Sequence, residues 1–225
     1  GDEGEDIFEE SNFAEDMILK APSNDIMNKL ARCVLASYSY DDTADATDIA
    51  NLFRQSIGLI AKLPTMMAYA YQAKRHYYDK LSLFLHSPKK EYSTAQNILH
   101  LIRPDNQFSD VEAKTLDLLL MIHAEHGGGN NSAFACRVVS SSGTDTYSAI
   151  AAAIGSLKGP KHGGANAKVM AMIDGFKENV SNWNDKDEVA AYIEKIIRKE
   201  AGDGSGLICG MGHAVYTLSD PRAVL

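Results

Sequence analysis

The sequence predicts an all-α, multi-helical fold. Apolar residues recur at helical spacing in one segment after another, turn-forming residues fall between these segments, and no run of strand alternation appears in the 225 residues. With 45% hydrophobic and 23% charged residues the chain is too apolar for disorder, and its length fits one domain or a domain plus part of another. The formal charge of -8 and a pI near 5.3 argue against nucleic-acid binding, which depends on clustered Lys and Arg. An anionic substrate would instead need local positive charge.

The acidic opening, Gly1 to Glu10, offers little apolar material and is expected to fray unless other protein covers it. From Ser23 to Tyr38, the spacing of Ile26, Met27, Leu30, Val34 and Leu35 predicts a helix with one buried face, capped by Ser23, Asn24 or Asp25. Thr47 to Tyr71 continues the pattern, with Pro64 expected to break or bend it into two helices or one kinked helix. Tyr92 to Arg103 and Ser109 to Glu125 are two more helices around a turn at Arg103-Pro104-Asp105-Asn106. The second ends in Leu116 to Ile122, almost wholly apolar, which belongs inside a larger body or at a subunit interface.

Small residues dominate Asn130 to Ala153, where Ser148, Ala149, Ala151 and Ala152 permit close packing and suggest a crowded centre. Helices over Lys161 to Lys177 and Lys186 to Ala201 complete the series, and Gly202 to Gly212 is a glycine-rich stretch after the last of them. Met27, Met66, Met67, Met121, Met170 and Met172 sit in apolar helical contexts and read as core filler. Cys33, Cys136 and Cys209 lie too far apart for a disulfide framework or zinc knuckle, so reduced thiols in the cytoplasm are expected. No apolar stretch is long enough to span a bilayer, and no association with a membrane is expected.

Three histidines stand beside glycines: His126 before Gly127-Gly128-Gly129, His162 before Gly163-Gly164, and His213 after Gly210-Met211-Gly212. Glycine ends helices and lets a ligand approach the backbone, so each imidazole should sit at a helix edge facing a cleft. Three such cases in one chain point to a shared site, whereas any one alone would read as a helix cap. His162 opens an apolar-periodic helix, and the positive end of that helix favours an uncharged ring able to donate a hydrogen bond to an enol oxygen. The Gly206 to Gly212 stretch lacks the strand and spacing of a nucleotide motif, but its amides could cradle an acidic or phosphorylated ligand. Arg222, after Asp220-Pro221, could clamp a carboxylate with two parallel hydrogen bonds; the alternative is a surface turn with an exposed guanidinium. His123 and His126 share a helix face, yet the order His-Ala-Glu-His is not a zinc signature, so no metal is expected and His123 reads as a core or supporting residue.

The blocks His123-Ala-Glu-His-Gly-Gly-Gly-Asn-Asn-Ser-Ala-Phe134, Gly159-Pro-Lys-His-Gly-Gly-Ala-Asn166 and Gly210-Met-Gly-His-Ala-Val215, with Asp220-Pro-Arg222, together resemble the citrate synthase family. The upstream Ile60-Ala-Lys-Leu-Pro-Thr65 adds to the likeness, which runs from about Ser23 to the last residue. The resemblance implies a homodimer of the citrate synthase fold. Residues 1–160 would form most of a large helical domain, and 161–225 the start of a small one. It also implies that His126 and Arg222 hold the carboxylates of oxaloacetate, that His213 donates to its ketone, and that His162 stabilises the enol of acetyl-CoA. The loop Gly206, Leu207, Ile208, Cys209, Gly210, Met211, Gly212 would lie along coenzyme A, with no cofactor beyond that substrate. Family members begin earlier and continue past the Asp-Pro-Arg motif, where a later aspartate takes the methyl proton. The chain is therefore expected to be a fragment without that base, inactive alone, and Asp220 is not promoted to the role.

Three rival readings remain at this stage. A 2-methylcitrate synthase acting on propionyl-CoA differs by one methylene, worth only about 1 to 3 kcal/mol in a pocket. A non-catalytic relative would keep the scaffold for dimerisation or regulation. A histidine-liganded metal hydrolase would contain bound zinc or iron.

Overall fold

The computed structural model describes residues 13–124, 129–212, 217–220 and 222, and the chain divides into two units, 1–158 and 159–225. The first unit opens with a π-helical turn, Ala14–Leu19, followed by α1 (Ile26–Ala36), a 3-10 turn (Ser37–Tyr40) and α2 (Ile49–Tyr77). It continues through α3 (Thr94–Ile102), α4 (Asp110–His123), α5 (Asn131–Ser140) and α6 (Thr146–Lys158). The second holds α7 (Ala165–Asn179) and α8 (Lys186–Ile197). Among the described residues there is no strand, in keeping with the all-α reading. The expectation for Gly1 to Glu10 falls outside the described residues.

Side chains start most of these helices. Asp25, Asp48, Ser93, Ser109, Asn130 and Asp185 each accept a hydrogen bond from a backbone N–H of the following turn. Ser93 with Gln96 and Ser109 with Glu112 form reciprocal capping boxes, so two orphan donors are satisfied at each end. Such a cap is worth about 1 kcal/mol. The turn after α3 forms at Arg103 to Asn106, where the Asn106 N–H donates to the Arg103 carbonyl and Asn106 takes a left-handed φ of 60°.

Pro64 does not divide α2, which runs unbroken from Ile49 to Tyr77. Proline removes one N–H, and so one bond to the carbonyl of Ile60, while Leu59, Thr65, Met66 and Ala68 around it stay buried. Their packing outweighs the lost hydrogen bond. In α1 the buried side turns to Lys29, Cys33 and Val34, and Leu35 is exposed. Successive helical residues are 100° apart, so burying the row of Lys29, Cys33 and Ser37 carries Leu35 out of the core. The Lys29 amine is satisfied by donating to the carbonyl of Met17, and burial lowers its pKa.

Two clusters hold the first unit. Phe13, Ile18, Cys33, Met66 and Ala73 pack with Leu30 and Tyr69, while Val34, Ala44, Leu59 and Tyr147 pack with Leu63, Ile150 and Ile154. Helix α6 lies against α1, α5 and α2, which gives the small residues Ala149 and Ala151 their place between helices. A polar network ties this centre to the loop after the 3-10 turn. The Tyr147 hydroxyl donates to Asp41 at 2.8 Å, Arg54 Nη2 donates to both Asp41 oxygens at 2.8 and 2.9 Å, and Thr43 donates to Asp41 Oδ1. Burial alone would raise the Asp41 pKa, but the bonds from Tyr147, Arg54 and Thr43 outweigh it and hold the carboxyl at about 2.

In the second unit Val180, Tyr192 and Ile196 pack with Met172, Phe176, Val189, Ala201 and Ile208. Phe176 meets Tyr192 edge-on with centroids 4.7 Å apart. Of the methionines read as core filler, Met66 is fully buried and Met172 joins this cluster, but Met121 and Met170 are exposed. The apolar end of α4 is likewise exposed: Leu118, Leu119, Leu120 and Met121 all face solvent, and Ala113 is the buried residue of that helix. That segment is therefore not interior to this chain. All three cysteines are free thiols, and no helix among the described residues is long and apolar enough to cross a membrane.

Candidate active site

The second unit brings two of the expected features to one end of α7. Residues 159–164 form a tight turn in which the N–H groups of His162 and Gly164 both donate to the Gly159 carbonyl, at 2.9 and 3.2 Å. The helix begins only at Ala165, with Gly164 at its cap, so His162 lies in the turn before α7 and not in its first helical residues. The N–H groups of Ala165, Asn166 and Ala167 donate back to the carbonyls of His162, Gly163 and Gly164. These short i to i−3 bonds satisfy the helix start from within, leaving His162 half-buried at its edge.

The glycine-rich loop docks on the same helix end. Gly210, at a φ of +84°, passes so close that an added Cβ would stand 3.2 Å from Val169 Cγ2, and Lys168 Nζ lies 3.8 Å from Asp203 Oδ2. Gly206 has a φ of +79°, and a Cβ there would meet the Ile197 carbonyl at 3.1 Å and Lys199 Cγ at 3.2 Å. Only glycine fits both requirements without strain. Ser205 braces the start of the loop: its N–H donates to Asp203 Oδ1, and its hydroxyl accepts from the Leu207 N–H. Ile208 is drawn into the core of the unit, while Leu207 and Met211 are exposed at 69% and 77%. The loop thus offers two apolar side chains and a bare backbone above a fixed base.

Arg222 forms the expected fork, but with a carboxylate of its own chain. Its Nε donates to Asp220 Oδ1 at 3.0 Å, its Nη2 donates to Asp220 Oδ2, and its backbone N–H also donates to Oδ1. Both side chains are partly buried, with relative exposures of 28% and 20%. The pairing fixes the guanidinium plane and occupies the Asp220 carboxylate.

His126 and His213 lie outside the described residues, as does Pro221. Beside them, Asn130 caps α5 by accepting from Ser132 and Ala133, and Asn131 Nδ2 donates to Ser156 Oγ at 2.7 Å. His123 is exposed and its Nδ1–H donates to the Leu119 carbonyl at 2.6 Å, which corrects its reading as a core residue. Among the described residues no group of three or more His, Cys, Asp or Glu side chains could hold a metal ion. Motif reading did not single out Lys168, Val169, Asp203 and Ser205, which build the bed of the glycine loop. Lys168 and Val169 lie in the opening turns of the helix that His162 precedes, and that was the one available signal.

The family described as citrate synthase, C-terminal domain, matches residues 5–225, so the likeness begins well before Ser23. The citrate synthase of Haloferax volcanii is 34% identical over 201 residues, covering 88% of this chain and 48% of that protein. Citrate synthase 2 of Bacillus subtilis is 36% identical over 185 residues, covering 81% and 44%. The crystal structure of citrate synthase from Pyrobaculum aerophilum superposes with a TM-score of 0.71 at 29% identity, covering 94% of this chain and 50% of that one. That of Thermotoga maritima, at 24% identity and a TM-score of 0.64, supports the fold alone. The chain spans about half the length of the relatives it matches.

Proposed function

This chain belongs to the citrate synthase family, and from that premise we propose that it forms part of an acyltransferase condensing acetyl-CoA with oxaloacetate and water to give citrate and coenzyme A. One observation carries the reading: the half-buried His162 turn and the glycine loop meet at the same end of α7. An imidazole donating to an enol oxygen needs the thioester beside it, and a loop of glycines against Val169 lets an elongated acyl carrier lie close to the backbone. In this reading His126, His213 and Arg222 bind oxaloacetate, His213 polarises its ketone, and His162 stabilises the enol. Gly206 to Gly212 follow coenzyme A, with Leu207 and Met211 as its apolar contacts. Arg222 binds a substrate carboxylate in this reading, and Asp220, bonded to its Nε and Nη2, serves to orient the guanidinium. Both oxygens of Asp220 accept from Arg222, which supports leaving Asp220 out of the role of base.

The test is release of coenzyme A thiol from acetyl-CoA by the full-length protein, with and without oxaloacetate and with propionyl-CoA in parallel. Oxaloacetate-dependent release, lowered about 10²-fold or more by His162→Ala, is the expected result. Faster release from propionyl-CoA would assign a 2-methylcitrate synthase, and no release from either would favour a non-catalytic relative.

We also propose that a second copy of the chain covers the apolar faces left open in the first unit. Ile49, Phe53, Ile57 and Ile60 form one exposed stripe on α2, Leu119 and Met121 stand out from α4, and Phe134 and Val138 from α5. Light scattering on Leu119→Glu should show loss of dimer with folding retained. The three free thiols suit a reducing, cytoplasmic setting.

A further inference from the structure

Beside the glycine loop stands a residue that local preference would not put there. Helix α8 ends in a left-handed stop: the Glu200 N–H donates to the Lys195 carbonyl at 2.8 Å and the Lys199 N–H to the Ile196 carbonyl at 2.9 Å. The residue at the bend of such a stop takes a positive φ, which glycine does without a clash between Cβ and backbone. Here the bend is Lys199, at a φ of 65°. Among the described residues after α8, every other one with a positive φ is a glycine. The lysine reaches the loop directly. A Cβ on Gly206 would stand 3.2 Å from Lys199 Cγ and 3.3 Å from its Cε, so the stem lies across the bare backbone of Gly206. The ammonium, one bond beyond Cε, therefore stands at the rim of the loop.

Neighbouring charges leave that ammonium open to a ligand. Asp203, the carboxylate before the loop, accepts from the Ser205 N–H and lies 3.8 Å from Lys168 Nζ, while Arg198 is bonded to Glu194. Lys199 is exposed, and no ion pair joins it to a described residue. A bend suited to glycine but occupied by an exposed, unpaired lysine points to a role for the charge. We propose that Lys199 binds a phosphate of coenzyme A and so fixes the charged end of that substrate; this rests on the reading of Gly206 to Gly212 as the coenzyme A loop. The two ends of the loop give the carrier its direction. Gly210 lies against Val169 in the opening turns of α7, the helix that His162 precedes, and Gly206 lies against Lys199 at the end of α8. The thioester belongs at the first end, beside the imidazole, and the phosphates at the second, beside the ammonium. An anionic carrier approaching a chain of net negative charge needs such a local cation.

Calorimetric titration of the full-length protein with coenzyme A, 3′-dephospho-coenzyme A and pantetheine, each in the presence of oxaloacetate, tests this. Lys199→Gly removes the charge and gives the helix stop its preferred residue, so its two effects should run in opposite directions. The urea midpoint of the second unit, read from Trp183 fluorescence, should rise, while the Kd for coenzyme A should increase about 5- to 10-fold. Lys199→Arg keeps the charge and should recover most of the affinity. Added salt should weaken coenzyme A binding more in wild type than in Lys199→Gly. Pantetheine carries no phosphate, and the two proteins should bind it alike. A Kd difference that persists with 3′-dephospho-coenzyme A assigns the lysine to the pyrophosphate, and one that disappears assigns it to the 3′-phosphate; either supports the proposal. An unchanged Kd for coenzyme A in Lys199→Gly overturns it, as does an equal loss with pantetheine. A weaker Kd with a lower midpoint, not recovered in Lys199→Arg, would make Lys199 structural and also overturns it. Wild type that binds coenzyme A through Lys199 but releases no thiol would sink the proposed reaction and leave this inference standing, whereas wild type that does not bind coenzyme A removes both.

Discussion

Replacing Tyr147 with phenylalanine removes one oxygen from the centre of the first unit, and its effect should depend on pH in a way that packing alone would not produce. The hydroxyl donates to Asp41 at 2.8 Å, and the Asp41 side chain is only 7% exposed, so water replaces the lost bond poorly. A hydrogen bond to a charged group contributes about 1.5 to 3 kcal/mol, and the ring of Phe keeps the contacts with Val34 and Leu59. The expected loss at neutral pH is about 2 kcal/mol. Asp41 is an acid whose folded-state pKa is held at about 2, below its ordinary value of 3.8. Its contribution is therefore present in full above about pH 4 and lost as pH falls through about 2. The difference between wild type and Tyr147→Phe should shrink toward zero over that same interval. Urea unfolding followed by far-UV circular dichroism gives the difference at each pH. Trp183, the one tryptophan, lies in the second unit, and its fluorescence reports separately that this unit is unchanged. A loss of the same size at pH 7 and pH 2, or one below about 0.5 kcal/mol at pH 7, would refute the assignment of a charged hydrogen bond.

Gly175→Ala would set a methyl 2.8 Å from the Tyr192 hydroxyl, and overpacking should outweigh the helix propensity gained, for a net loss of about 1 kcal/mol by Trp183 fluorescence. Tyr192→Phe should relieve that clash in the double variant. Met66→Ala empties a fully buried site and should destabilise the first unit by about 2 to 5 kcal/mol, read from the chemical denaturation midpoint. Gly206→Ala meets both a left-handed φ and the Ile197 carbonyl, so it should raise the KM for acetyl-CoA in the full-length protein while oxaloacetate binding, measured by calorimetry, stays unchanged.

Much of the secondary structure was legible because it is written locally. The period of the apolar residues places α1, α3, α4, α7 and α8 within a few residues and finds the start of α2, and Asp25 caps where an acidic residue before an apolar run should; α5 and α6, rich in small residues, carry too little apolar contrast to be bounded that way. The departures share one cause. Pro64, Leu35 and the end of α4 were judged on their own segments, but packing decided each of them. Neighbours hold α2 together across its proline, α1 rotates Cys33 inward at the expense of Leu35, and Leu118 to Met121 find no cover within this chain. At the candidate site the glycines and histidines marked the segments, whereas the bed of Lys168, Val169 and Asp203 carries no motif. It consists of ordinary side chains made specific by position.

The sequence by itself determined the helical class, the starts of most of the helices, and the family, because propensity, caps and short motifs act over a few residues. The tertiary structure decided which faces are buried and which polar groups meet. Asp41 and Tyr147 stand 106 positions apart, and the imidazoles of His86 and His100 share a boundary only because the chain between α2 and α3 folds back on α3. Contacts of this kind depend on how far apart packing sets the helices and how each is rotated, which local spacing does not encode.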